Sequence, residues 1–393
     1  MLILVINSGS SSLKYQVREL DETGADTEKP VLAEGIIERI GQPDSEIADH
    51  AQALDMVSGQ LEEVLDGRTI DAAGHRVVHG GERFRAPALV TNEVIRAIDA
   101  LAPLAPLHNP PSAAGLRAMR EKWPDIPQVV VFDTSFHTSM PAEAWRYAVP
   151  ESWYTDYGIR RYGFHGTSHD LVTGLTAELI GVPRHNFNGI ILHLGNGASA
   201  TAIRGGRSVD TSMGYTPLAG LVMGTRSGDL DPSIVTHLMT SHGFTAQEVD
   251  RVLNNESGLY GISGHTDMRE VLHAADAGHR GSQAALDVAS YRLAKYIGGY
   301  HVAVGGAQAI TFTAGIGENS APFRARVLDR LEVLGITYDH ELNLVTGSEP
   351  RLISAEDSAI KVAVIPTNEE MAIAQKTYQV VDTAQAWGQG PGF

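Results

Sequence analysis

Three short segments of this chain carry residue types suited to holding a phosphate. The first is Asn7-Ser8-Gly9-Ser10-Ser11-Ser12, with Lys14 close behind, between two apolar runs. Successive backbone N–H groups, unobstructed at glycine, can face phosphate oxygens, and serine hydroxyls with one ammonium add donors. The same residues also build ordinary surface turns, so both readings stand for this stretch alone. The second segment, Gly195-Asn196-Gly197-Ala198-Ser199, repeats the layout after another apolar run. The third, Gly315-Ile316-Gly317-Glu318-Asn319, begins like a strand-to-helix turn whose glycines let the backbone approach a flat ligand such as adenosine. Better-known nucleotide motifs do not account for them. A P-loop needs Gly-Lys and then Ser or Thr, and no Gly-Lys pair occurs. Residues 195–200 satisfy G-x-G-x-x-A, but the residues after them predict a strand where that motif requires a helix.

The elements that must position these segments are legible as apolar runs ending in small or polar residues: "LILVINSG", "VVVFDTS", "GIILHLGNG", "AITFTAGIGEN" and "VAVIPTNEE". They read as buried strands, several leading into helical stretches, which predicts an α/β fold with ligands at the carboxyl ends of the strands. Apolar spacing predicts amphipathic helices over 112–122, 283–297 and 369–381, the last followed by a frayed tail, "AWGQGPGF". The shared layout of "VINSGSSSLKYQV" and "LHLGNGASATAI" reads as a duplicated hairpin, with two unrelated turns as the alternative. A domain boundary near Pro150 puts one copy in each half.

A chain of 393 residues favours two domains over one. Its 47 acidic against 30 basic residues, a net charge of −17, argue against a nucleic-acid or anionic-membrane partner. Cysteine is absent, which excludes disulfides and thiolate chemistry. The apolar run at 2–6 lacks a basic flank and is too short for a signal peptide or a membrane span, so a cytoplasmic protein is expected.

With these segments in view, the chain resembles the acetate kinase (acetokinase) family, within the superfamily of acetate and sugar kinases, Hsp70 and actin. The resemblance spans nearly the whole length. It rests on "NSGSSSLKY", "GHRVVHGGERF", "PLAPLHNPP", "VFDTSFH", "RRYGFHGTSH", "HLGNGASA", "DTSMGYTPLAGLVMGTRSGDLDP", "FTAGIGENS" and "IPTNEE". It implies an α/β protein of two ribonuclease-H-like (actin-like ATPase) domains, ATP bound in the cleft between them, and a homodimer joined through the later domain. The first domain, 1–150, is expected to bind the acid and the phosphoryl group, with a helix at 370–385 packing back on it. The second, 151–369, is expected to bind nucleotide and dimerise. The implied reaction is reversible in-line transfer of the γ-phosphoryl of ATP to acetate, giving acetyl phosphate and ADP, with Mg²⁺ and Mn²⁺ as its possible substitute.

The acceptor is a carboxylate already ionised at neutral pH, so the chemistry needs cations, aligned donors and metal rather than a general base. The resemblance assigns Arg76 and Arg226 to clamp carboxylate and phosphoryl oxygens, and His165 to stabilise the transferring phosphoryl. His169, four residues on, raises a zinc reading, but the Glu of a zinc helix is missing and Gly166 weakens a helix there. His108 matches a site histidine, though alone it reads equally as a packed imidazole. Asp133 reads as a catalytic carboxylate or as a turn cap; the resemblance puts it in the site, orienting metal or its water. Glu369 matches a magnesium ligand and Asn7 a second metal-linked position, with Glu370 competing. The nucleotide set is Lys14, His193, Leu194, Gly195, Asn196, Gly197, Asp267, Met268, Arg269, Gly315, Ile316, Gly317, Glu318 and Asn319. Val78, Leu107, Phe164 and Pro217 match a pocket for the acetate methyl, each also readable as core. The competing functions are a propionate or butyrate kinase of the same fold, a non-enzymatic ATP-driven module, and a zinc hydrolase.

Overall fold

The computed structural model describes residues 1–9, 11–42, 44–106 and 108–388. The expected tail lies partly outside them, as does Leu107. The chain divides into two compact units, one formed by 1–138 with 368 onward and the other by 139–367. The division therefore falls after Thr138 rather than near Pro150, because the segment 139–150 packs with the residues that follow it.

In the first unit, β1 (Leu2–Ser8) and β2 (Ser12–Leu20) form an antiparallel hairpin, extended by β3 (Asp26–Glu38). On its other side β1 runs parallel to β4 (Ala72–Val77), and β5 (Ala88–Leu89) and β6 (Gln128–Phe132) complete the order β3-β2-β1-β4-β6-β5. Strand β1 is apolar from Leu2 to Ile6 because it is covered on both faces, and side chains alternate between them. Leu2, Leu4 and Ile6 pack with Leu54, Val57 and Leu61 of α1 (His50–Leu65). Ile3 and Val5 pack with Ile373, Ala374 and Val381 of the last helix, Glu369–Gly388. That helix lies so close to β4 that a Cβ on Gly74 would sit 2.3 Å from Thr377 Oγ1. Helices α2 (Asn92–Ala100) and α3 (Asn109–Lys122) cover Val77, Val130 and Phe132.

The second unit repeats the arrangement. Strand β7 (Gly189–Leu194) pairs antiparallel with β8 (Ala198–Arg204), which pairs with β9 (Arg207–Thr211). Its other neighbour is the parallel β10 (Ala309–Thr313), followed by β12 (Lys361–Val364) and β11 (Arg351–Leu352), giving β11-β12-β10-β7-β8-β9. An antiparallel three-strand meander with parallel strands added beside its first strand is the ribonuclease-H-like order, and both sheets have it. The two hairpins compared in the sequence are the first two strands of each sheet. Strand β8 follows residues 195–197, which disposes of the dinucleotide motif.

Helices of the second unit include α4 (Gly166–Leu179), α5 (Ser233–His242), α6 (Met268–Asp276), α7 (Arg280–Ala303) and α8 (Ala314–Asn319). Gly166 does not prevent α4 from forming. His165 precedes it in the left-handed region (φ 56°), and the buried face of α4 is built from Thr167, Ser168, His169, Thr173 and Thr176 as well as Val172. Such a face escapes an apolar-periodicity reading. Among the described residues no helix is long and apolar enough to cross a membrane.

His75 on β4 and His79 just beyond it are buried, and burial holds both imidazoles down at about 4 against an ordinary 6.5, with Gln128 partly opposing at His75. Both stay neutral when folded, whereas the unfolded chain takes up their protons below pH 6.5. Their contribution to stability is therefore complete above that value and is lost as pH falls toward 4. Urea unfolding across this window should show stability falling by up to about 1.4 kcal/mol per pH unit for each histidine, with a shallower slope in the His75→Gln variant.

Candidate active site

In the first unit, backbone register brings the candidate residues side by side. Parallel pairing of β1 with β4 sets Asn7 beside Arg76, and pairing of β4 with β6 sets Val77 beside Phe132, so Asp133 emerges one residue past that strand end. The Asp133 N–H donates to Val77 O at 3.0 Å, which fixes the exit. Arg76 then forms a fork with Asp133, Nε to Oδ1 at 3.1 Å and Nη2 to Oδ2 at 2.5 Å, and its Nη1 donates to Asn7 Oδ1 at 3.4 Å. Glu369 Oε2 lies 3.8 Å from Arg76 Nε.

Burial works against the charge on Arg76, but Asp133 and Glu369 outweigh it and hold the guanidinium above its ordinary pKa. Burial pushes the Asp133 carboxyl up, with Arg76 pulling the other way and Glu369 adding to the rise. The Asp133 side chain is 2 % exposed, against 23 % for Arg76. Asp133 thus serves as the counter-ion of Arg76.

The two adjacent glutamates separate by partner. Glu370 is paired with Lys14, whose pull outweighs burial and holds this carboxyl below its ordinary range. Glu369 faces Arg76 instead. Lys14 lies on β2 directly across from Asn7. His108 caps the start of α3 and is exposed, and its charge is among those acting on Asp133. Val78 is half-buried just past β4. Asn7, Asp133 and Glu369 offer oxygen donors only, the hard set that suits Mg²⁺. Among the described residues no group of three or more His, Asp or Glu is arranged to hold a metal ion. Mg²⁺ ordinarily relies on one or two carboxylates, waters and substrate phosphates.

The second unit gathers histidines and an arginine around the turn between β7 and β8. Register places His193 opposite Ser199, and the turn closes with Gly195 N–H donating to Gly197 O at 3.0 Å. The His165 ring stacks on His193, centroids 4.2 Å apart and planes inclined by 22°. His165 Nδ1 lies 2.9 Å from Ser199 Oγ, and His169 Nε2 lies 2.7 Å from the same oxygen. The two imidazoles raised as a zinc pair therefore meet on a hydroxyl. Ser168 Oγ lies 2.8 Å from His193 Nδ1 and 2.8 Å from Thr367 Oγ1.

Gly197 makes room for this convergence. A Cβ there would meet Arg226 Nη2 at 3.0 Å and His165 Nε2 at 3.6 Å. Arg226 is half-buried and donates through Nη1 to Pro217 O at 2.8 Å, and burial lowers its pKa. Unlike Arg76, it has no carboxylate partner among the described residues. A partly buried guanidinium without a counter-ion is costly unless an anion arrives. Pro217 is half-buried and Phe164 fully buried.

Beside this cluster, Gly195, Asn196, Asp267, Met268, Arg269, Gly315, Ile316 and Asn319 line one cavity of about 740 Å³. It is large enough for a small organic ligand. Asp267 also caps α6, accepting from the Arg269 N–H at 2.8 Å, and pairs with that guanidinium. His193, Leu194, Gly197, Gly317 and Glu318 do not line the cavity. Glu318 turns back to accept the Thr367 N–H at 3.0 Å.

Sequence reasoning missed several members. Thr266, Ser320 and Pro322 also line the cavity and lie next to segments already singled out, while Leu272 is one helical turn beyond Met268. Arg324 gave no signal: it is buried, and its Nη1 holds the carbonyls of Gly317 and Glu318 at 2.9 and 2.8 Å. Ser199 and Ser168 stood in view only as possible phosphate donors or not at all.

A family model described as the acetokinase family matches residues 2–375. The acetate kinase of Micrococcus luteus is 68 % identical over 385 residues, covering 97 % of this chain and 99 % of that protein. Among solved structures, the acetate kinase of Porphyromonas gingivalis superposes with a TM-score of 0.90 at 38 % identity, covering 97 % of this chain and 99 % of that one. A propionate kinase from Francisella tularensis superposes at 0.89 with 39 % identity, covering 96 % and 99 %.

The two arginines should respond oppositely to removal. Arg76→Ala leaves Asp133 buried without its counter-ion and should cost up to about 3 kcal/mol in chemical denaturation. Arg226→Ala removes an uncompensated cation and should leave stability unchanged or slightly raised; an equal loss in both variants would contradict the contrast between them.

Proposed function

The chain belongs to the acetokinase family, and from this premise we propose that it transfers the γ-phosphoryl of ATP to acetate, reversibly, giving acetyl phosphate and ADP. The observation that carries this reading is the near-full-length likeness to proteins named acetate kinase. The geometry supports it. A carboxylate attacking a phosphoryl group must overcome repulsion between anions, and rate enhancement comes from alignment and fixed positive charge. Arg226, lacking a counter-ion, supplies charge to phosphoryl oxygens, and His165 Nε2 donates beside it. Arg76, held in a fixed orientation by Asp133 and Asn7, presents its remaining donor capacity to the acid. The cavity beside Gly195 and Gly315 takes the nucleoside, and in the first unit Val78, close to Arg76 in sequence, and His108, whose charge acts on Asp133, serve the acid.

Mg²⁺ fits the residues present, because Asn7, Asp133 and Glu369 are hard oxygen donors gathered in one unit, and Glu369 is the carboxylate that Lys14 leaves available. Asn7, Asp133 and Glu369 would hold Mg²⁺, or Mn²⁺ in its place, and the ion would supply positive charge against phosphate oxygens. Asp133 orients rather than deprotonates, since acetate needs no base.

We further assign a homodimer to the second unit. Helix α5 buries none of its residues and exposes Ile234 and Met239, and α7 exposes Tyr291 and Val302. An uncovered apolar face of this kind suits a second copy of the chain. A cytoplasmic location accords with ATP as substrate. A propionate kinase is the second reading, favoured by the comparable likeness to the Francisella protein.

A coupled assay should detect acetate-dependent ADP formation, with propionate turned over less efficiently, since a methylene in an apolar pocket is worth about 1–3 kcal/mol. Higher efficiency with propionate would select the second reading, and ADP release independent of any acid would refute both. Arg226→Ala should remain folded and lose most of this activity. Sedimentation should give twice the mass of one chain.

A further inference from the structure

The hydroxyl of Ser199 stands between two imidazoles, and its single proton cannot serve both. It is fully buried, 2.9 Å from His165 Nδ1 and 2.7 Å from His169 Nε2. A hydroxyl donates once and accepts through its lone pairs. With both rings neutral, at most one nitrogen accepts from Ser199; if both rings donate to its two lone pairs, the hydroxyl proton points elsewhere and the His165 proton sits on Nδ1. In one arrangement His169 Nε2–H donates to Ser199 Oγ, whose O–H donates to His165 Nδ1; the His165 proton then sits on Nε2. The reverse arrangement puts it on Nδ1 and leaves a lone pair on Nε2.

His165 Nε2 is the atom that approaches Gly197 beside Arg226 Nη2, where the missing Cβ leaves space. An anionic oxygen drawn there by the guanidinium needs a donor and is repelled by a nitrogen lone pair. We propose that Ser199 and His169 are positioning residues, a two-member relay that holds His165 in its Nε2–H form so that it donates to phosphoryl oxygens beside Arg226.

The position of the histidines fits the assignment. His165 immediately precedes the start of α4 in a left-handed conformation, its ring stacked on His193, and His169 is on the first turn of that helix. One short element therefore carries both the donor and the residue that sets its proton. Neither positioning residue needs to touch substrate. The proposal rests on the reading that His165 meets the phosphoryl group.

The test uses the full chain labelled with ¹⁵N-histidine, with and without MgADP, and long-range ¹H–¹⁵N correlation spectra that distinguish the two imidazole tautomers. His165 is assigned by the loss of its signals in His165→Asn. In wild-type protein its spectrum should be that of the Nε2–H form. Ser199→Ala and His169→Leu should shift it toward a mixture or the Nδ1–H form and lower kcat by about 100-fold, the scale of one lost donor to a developing anion, with the KM for ATP changed far less. His169→Gln, whose amide can still donate to Ser199, should restore the spectrum and most of kcat. An Nδ1–H spectrum in the wild type, or a Ser199→Ala protein with wild-type spectrum and kcat, overturns the relay. A wild type with the Nε2–H spectrum but no acid-dependent turnover supports the relay and refutes the kinase reading.

Discussion

The chemistry of each unit depends on parallel strands whose registers agree at their carboxyl ends. Backbone hydrogen bonding between β1 and β4 puts Asn7 against Arg76, and between β4 and β6 it puts Asp133 where both guanidinium nitrogens reach it. In the second sheet parallel pairing sets His193 beside Thr313, and the antiparallel hairpin sets it against Ser199. A side chain moved one residue along any of these strands would point to the opposite face. The apolar alternation of β1, locked by helices on both faces, is therefore what holds Asn7 in place.

On this frame the two arginines are used in contrasting electrostatic states. Arg76 is compensated: Asp133 and Glu369 keep it charged and oriented, and its free energy of burial is largely settled before any ligand arrives. Arg226 is uncompensated among the described residues and donates to the Pro217 carbonyl. A ligand anion therefore gains most at Arg226 and meets a preset cluster of one cation and two carboxyl groups at Arg76. That division suits a reaction joining a strongly charged phosphate donor to a singly charged acid.

The sequence made the strands legible because both-face burial turns them into unbroken Val and Ile runs, and it made the hairpins legible because Gly, Asn and Ser cluster where those runs stop. The cavity was also within reach: Gly195, Asp267, Met268 and Gly315 were named, and they meet. What stayed hidden was the order of partners. Nothing in "IPTNEE" tells Glu369 from Glu370; the distinction comes from Lys14 lying across from Asn7 in a hairpin register. Helix α4 escaped because its buried face is made of Thr, Ser and His, polar groups that satisfy one another across 135 residues of sequence, as Thr176 and Thr311 do. Arg324 escaped because three of its partners are backbone carbonyls, which carry no residue-type signal, and the fourth is the side chain of Asn343, 19 residues away.

The last helix belongs to the sheet that begins the chain. It covers Ile3, Val5, Val129 and Val131, yet it is joined to them only after the whole second unit has been passed. During synthesis from the amino end, the second unit has all its strands before the first unit has its cover. An apolar sheet face thus stays open to water, or to a chaperone, until the helix Glu369–Gly388 emerges. The unit that starts the chain is the one completed last, so a chain cut short beyond residue 367 retains an intact second sheet beside an uncovered first one.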